Sequence, residues 1–92
     1  MIDKVKNNTA EHRFELDVEG HLAAAYYVRA GNVITFEHTE VPAELGGKGV
    51  GSRLVKDALD QVRADGLDVV AQYPFLKAWI GKNPAYADLL KA

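Results

Sequence analysis

The segment Glu40-Val41-Pro42-Ala43-Glu44-Leu45-Gly46-Gly47-Lys48-Gly49-Val50-Gly51 decides the fold, because the hydrophobic period of the chain changes across it. After it, apolar residues fall at Val50, Leu54, Val55, Ala58, Leu59 and Val62, one stripe along a helix, with Lys56, Asp57, Asp60, Gln61 and Arg63 left for solvent. Before it, they recur at every second position, as on a strand with one buried face. Pro42 cannot donate to a sheet ladder and closes the last of these strands, and residues 42–45 turn the chain toward the glycines.

Working back toward the N-terminus, Val33 to Val41 is rich in β-branched and aromatic residues, and strict alternation sets His38 on the face of Ile34 and Phe36. His21 to Ala30 contains alanines that also suit a helix. Its place between the turns Glu19-Gly20 and Gly31-Asn32 makes it a strand, with the adjacent Tyr26 and Tyr27 on opposite faces. In His12 to Val18, Phe14, Leu16 and Val18 alternate with charged residues. Three consecutive strands with short turns form an antiparallel meander. Residues 1–10 are polar and read as a flexible lead-in to a single domain over 11–92.

Toward the C-terminus, Gly66 sits where a left-handed residue ends a helix, and Leu67 to Ala71 is an apolar run of buried-strand type. Pro74 opens a helix through Ile80, and Asn83-Pro84 opens a last short one through Leu90, with Trp79, Phe75, Leu76 and Ile80 packing onto the sheet. The expected fold class is α/β of the α+β kind, in the order β-β-β-α-β-α-α.

Composition bounds the function. The 92 residues are 48% hydrophobic and 26% charged, as in an ordinary globular domain, and the net charge of −2 comes from interleaved acids and bases. No basic stripe exists, so a nucleic-acid partner is not expected. Absence of cysteine rules out disulfides and thiolate zinc sites, and three scattered histidines, His12, His21 and His38, give no reason to expect a metal. No apolar run reaches the ~20 residues that span a bilayer, and the first residues lack a signal-peptide core. A cytoplasmic protein without membrane partners is expected.

Glycines before a helix let the backbone approach a ligand, and first-turn N–H groups, unsatisfied within the helix, point outward at its positive end. Such a turn suits an anion, typically phosphate, although it also serves as a plain tight connection. A Walker A loop needs Ser or Thr directly after Gly-Lys, and Lys48 is followed by Gly49. The dinucleotide pattern G-x-G-x-x-G fails as well, since the sixth position from Gly47 is Ser52 and the third from Gly46 is Lys48.

A meander leading into this turn and helix resembles the Gcn5-related N-acetyltransferase superfamily. More closely, residues 40–51 followed by Pro74-Phe75 and Pro84-Ala85-Tyr86 are similar to its short, single-domain acetyltransferase-like family, over about Phe14 to Leu90. The resemblance implies a minimal form of that fold and acetyl-CoA as cofactor, bound by Gly46, Gly47, Lys48, Gly49, Val50, Gly51 and Ser52. It also implies an amine acceptor; with no segments for the helices that ordinarily cover the acceptor site, either that acceptor is large and exposed, like a protein terminus or a lysine, or the site is open and slow. Three positions depart from the family pattern. Gly46 stands where Arg or Gln is usual, Tyr73 where many members carry a cysteine proposed to act in catalysis, and Trp79 where the wider superfamily has a thiolate-protonating tyrosine. Indole has no acidic proton of suitable pKa.

Acetyl transfer to an amine requires a base for the amine and a donor for the leaving thiolate. Tyr73 is the candidate donor, its phenol pKa of ~10 lying near that of a thiol, and its alternative role is to pack over the helix start. Glu40 and His38, at the end of the third strand, are the candidate bases. The alternatives are a solvated carboxylate and a half-buried strand histidine. Two functions follow, an acetyl-CoA-dependent N-acetyltransferase or a non-catalytic acyl-CoA-binding or protein-interaction module on the same fold.

Overall fold

The computed structural model describes residues 4–46 and 49–90. Five strands form one sheet in sequence order: β1 (Lys6–Asn8), β2 (Arg13–Val18), β3 (His21–Ala30), β4 (Val33–Glu40) and β5 (Asp68–Ala71). The first four pair antiparallel, and β5 lies parallel to β4 after helix α1 (Val50–Ala64). Helix α2 (Pro74–Lys82) and a 3-10 segment (Pro84–Leu89) complete the chain.

All six residues of the expected helical stripe are buried, with Leu54 and Leu59 at zero exposure. They pack on Phe14, Leu16, Ala25, Ile34 and Phe36 from the sheet, in one core. Truncating Leu54 to Ala would cost about 2 to 5 kcal/mol through lost transfer energy and the cavity left behind. Gly66, at φ 71°, ends α1 as expected. Its N–H bonds Arg63 O, that of Leu67 bonds Val62 O, and the buried Val62 and Leu67 close the apolar side of this left-handed stop.

Three local differences from the sequence reading stand out. Lys6–Asn8, expected in a loose lead-in, is a paired edge strand. Long-range partners order it: Tyr27 donates to Asn7 Oδ1 at 2.6 Å, Gln61 donates to Val5 O at 2.8 Å, and Val5 enters the core. The last segment, expected as a helix through Leu90, is a 3-10 turn ending at Leu89, and Leu90 instead bridges Val69. The third difference is a β-bulge in β4. Tyr26 faces His38 while Tyr27 faces Phe36, so Glu37 is an extra residue and the alternation reverses there. Beyond it Thr39, opposite the buried Ala25, takes the helix-facing side, and His38 moves to the other.

Tyr26 and Tyr27 do face opposite sides. Tyr27 packs on Phe14 and Phe36 in the core, whereas Tyr26 stacks on His38 across the open face, centroids 4.4 Å apart. Among the described residues no helix covers that face at Leu22 or Val28, both exposed.

Candidate functional site

Helix α1 begins on Gly49, at φ 69° and ψ 17°. That left-handed conformation costs an L-residue roughly 1 to 2 kcal/mol, which is why glycine belongs at the position. Lacking a side chain, Gly49 gives the helix no cap. The first intrahelical bond runs from Arg53 N to Gly49 O, so the N–H groups of Val50, Gly51 and Ser52 precede the helical ladder. Val50 roots this turn in the core by its side chain and Ser52 is exposed. Gly46 lies one turn earlier with its N–H committed to Ala43 O at 3.0 Å, which leaves it no free donor for an anion. Gly47 and Lys48, also singled out in the sequence, lie outside the described residues.

Beside this helix start, β4 and β5 part. Their pairing runs from Val33 with Asp68 to Phe36 with Ala71, and Gln72 N makes the last bond to Phe36 O. Residues 38–40 continue along β3 alone. A cleft of about 300 Å³ opens there, lined by His38, Thr39, Val41, Gly51, Tyr73 and Phe75. Its wall is mainly apolar, with Val41 37% and Phe75 44% exposed. A methyl group on Gly51 would stand 3.5 Å from both Phe75 and Val41, so glycine here keeps the helix start open to the cleft.

Tyr73 holds the N-terminal end of α2 in extended conformation, its ring stacked toward Phe75 at 6.3 Å. Its hydroxyl meets that of Thr39 in a short hydrogen bond across the gap between the strands. Burial pushes the phenol above its ordinary value of 10.0, and the bond to Thr39 offsets only part of that rise. The Tyr73 phenol therefore keeps its proton at physiological pH.

Glu40 and His38 point to the open face. Glu40 Oε1 accepts from Tyr26 Oη at 3.4 Å, and Oε2 lies 3.4 Å from His38 Nε2. Arg13 extends the cluster, donating to Tyr26 Oη at 3.1 Å and to Glu15 Oε2 at 2.5 Å. Bonds from Arg13 and then Asn8 hold the Glu15 carboxyl below its usual range. The structure thus lines one cleft with Tyr73 and Gly51, which His38 touches only at its rim, the imidazole itself lying with Glu40 and Tyr26 on the open face. Expected alternation set His38 among the core residues of β4, and the bulge at Glu37 overturns this. The same bulge hid Thr39, Tyr73's partner, since neither Gly nor Pro marks it in the sequence.

Among the described residues no group of three or more metal-ligating side chains converges, and no helix is long and apolar enough to cross a membrane.

Comparison with known proteins agrees with this architecture. The family model described as GCN5-related N-acetyl-transferase matches residues 13–89. The chain belongs to that family. Among solved structures, it is similar to the NMR solution structure of a GCN5-like candidate N-acetyltransferase from Staphylococcus aureus. The two are 30% identical with a TM-score of 0.73, over 97% of this chain and 88% of the other. A search of curated proteins finds no match.

Proposed function

We propose that the protein is an acetyl-CoA-dependent N-acetyltransferase that passes the acetyl group directly to an amine. The observation that carries this reading is the apolar cleft running from the uncapped start of α1 at Gly51 to the Tyr73 hydroxyl. Its parts fit the cofactor: backbone N–H groups of Val50, Gly51 and Ser52 suit a diphosphate at a helix start, and Val41 and Phe75 suit the arm that follows. Gly47 and Lys48 are assigned to the phosphates on the sequence alone. Gly46 is assigned to shaping the turn, its N–H being used within it.

When bound, acetyl-CoA supplies a thioester already activated for attack. The protein's task is then to orient, to take one proton from the amine and to return one to the thiolate. In our reading Tyr73 returns the proton, replenished through Thr39, from the helical side of β4. His38, with Glu40 oriented by Tyr26, takes the proton of the incoming ammonium from the open side. An uncovered sheet face favours an acceptor that stands on a large molecule, such as a protein terminus or lysine.

A non-catalytic acyl-CoA-binding module is the second reading, favoured by one observation: the Tyr73 hydroxyl is already engaged by Thr39. Calorimetry with CoA and acetyl-CoA, followed by thiol release across a panel of amines and lysine peptides, separates the two. Binding with thiol release supports the enzyme, binding without it supports the module, and no binding at millimolar ligand sinks both.

A further inference from the structure

Tryptophan 79 is the chain's single tryptophan, 8% exposed on the inner side of α2. Packing explains its rings but not its nitrogen. Nε1 donates to Ser52 Oγ at 2.6 Å, a bond between two helices whose partners lie 27 residues apart in sequence. Ser52 is the third residue of α1, next to Gly51 in the cleft wall.

We infer that Trp79 is a positioning residue for the cofactor, acting through Ser52. The deduction rests on hydrogen-bond arithmetic. Indole N–H is a donor only, whereas a serine hydroxyl has one proton and two acceptor lone pairs. When Ser52 Oγ accepts from the indole, its own proton must point elsewhere. Ser52 is an exposed residue of the turn whose N–H groups precede the helical ladder, and its bond to Trp79 is half-buried. Trp79 thereby converts Ser52 from a freely rotating hydroxyl into a directed donor, parallel in purpose to those N–H groups. An anion at the helix start then meets a proton already oriented toward it.

The indole is itself held. Tyr86 abuts it edge-on at 5.1 Å and donates to Asp60 Oδ1 at 2.7 Å, and Asn83 Nδ2 donates to Trp79 O at 2.8 Å. A run of contacts from Asp60 through Tyr86 and Trp79 to Ser52 fixes the donor from the outside of α1. This role needs no acidic proton, so it suits tryptophan where a thiolate-protonating tyrosine would be expected.

The inference rests on the acetyl-CoA reading, and a double-mutant cycle tests it separately. Calorimetry gives the CoA Kd for wild type, Trp79→Phe, Ser52→Ala and the double variant. We expect Trp79→Phe to weaken CoA by about fivefold, as for one neutral hydrogen bond, and to add nothing in the Ser52→Ala background. Equal losses in both backgrounds, or none in either, overturn the role. Should Trp79→Phe fold poorly, Ser52→Ala alone decides: loss of CoA affinity together with a shift of the unique indole N–H resonance supports the role, and unchanged affinity overturns it. Absence of CoA binding by wild type overturns the cofactor reading and this inference with it, whereas wild-type binding with additive losses overturns this inference alone.

Discussion

Past the bulge, the two faces of β4 carry opposite chemistry. On the helical face Thr39 and Tyr73 share a short bond in a mostly apolar cleft, and burial keeps the phenol protonated. On the open face His38 and Glu40 stand 3.4 Å apart in water, with the side chain of His38 51% exposed. A buried donor and a solvated acceptor pair suit the proton-returning and proton-taking roles proposed for them. One extra residue, Glu37, assigns neighbouring side chains to the two environments. The lesson is that a strand separates functions by parity, and that a bulge resets parity without changing composition.

Exchanging His38 and Thr39 attacks the division directly. The double variant His38→Thr, Thr39→His turns the imidazole inward and the threonine hydroxyl outward, and we expect turnover to fall by more than about 10³-fold, since both proton groups are misplaced. Loss confined to less than tenfold, with the fold intact by NMR, would show that the two faces are not separate sites. Next in size, Tyr73→Phe should lower kcat by about 10² to 10³-fold with the CoA Kd within about threefold. The pH profile fixes the sign. A raised phenol pKa means that the proton is held throughout neutral pH and lost only above 10.0, so the wild-type alkaline limb lies above that value and is absent from Tyr73→Phe.

Glu40→Gln sharpens the other face. The amide still accepts from Tyr26 but brings no negative charge to His38, so kcat/KM for the amine should drop about tenfold while CoA binding stays unchanged. A change in the CoA Kd instead would place Glu40 with the cofactor. Smallest in expected effect, Gly49→Ala should cost about 1 to 2 kcal/mol in urea denaturation, because alanine must adopt φ 69°. If the midpoint is unchanged, the left-handed start of α1 is not imposed by the fold.

The sequence carried α1 and the meander because each rests on a repeated local signal. The stripe from Val50 to Val62 recurs over several turns, and all of it is buried. The pairing of β1 was invisible because Asn7 and Val5 are ordered by Tyr27 and Gln61, 20 and 56 residues away. Within the candidate site, the helix start and Tyr73 were legible as residue types in context. Thr39 and the final direction of His38 were not, since one inserted residue leaves hydropathy nearly unchanged. Trp79 read correctly as packing, and its bond to Ser52 depends on a helix crossing that no local pattern encodes.

The parallel attachment of β5 has a consequence for the order in which the molecule assembles. Strands β2, β3 and β4 join through two-residue turns, so their contacts close short loops. β5 reaches β4 only after residues 41–67 have turned and formed α1. Closing that longer loop is entropically later work, and local opening should begin where it was last closed. The cleft lies on this seam. Amide exchange is therefore expected to be faster in β5 than in β3, and ligand in the cleft should slow it there first, tying occupancy of the site to completion of the fold.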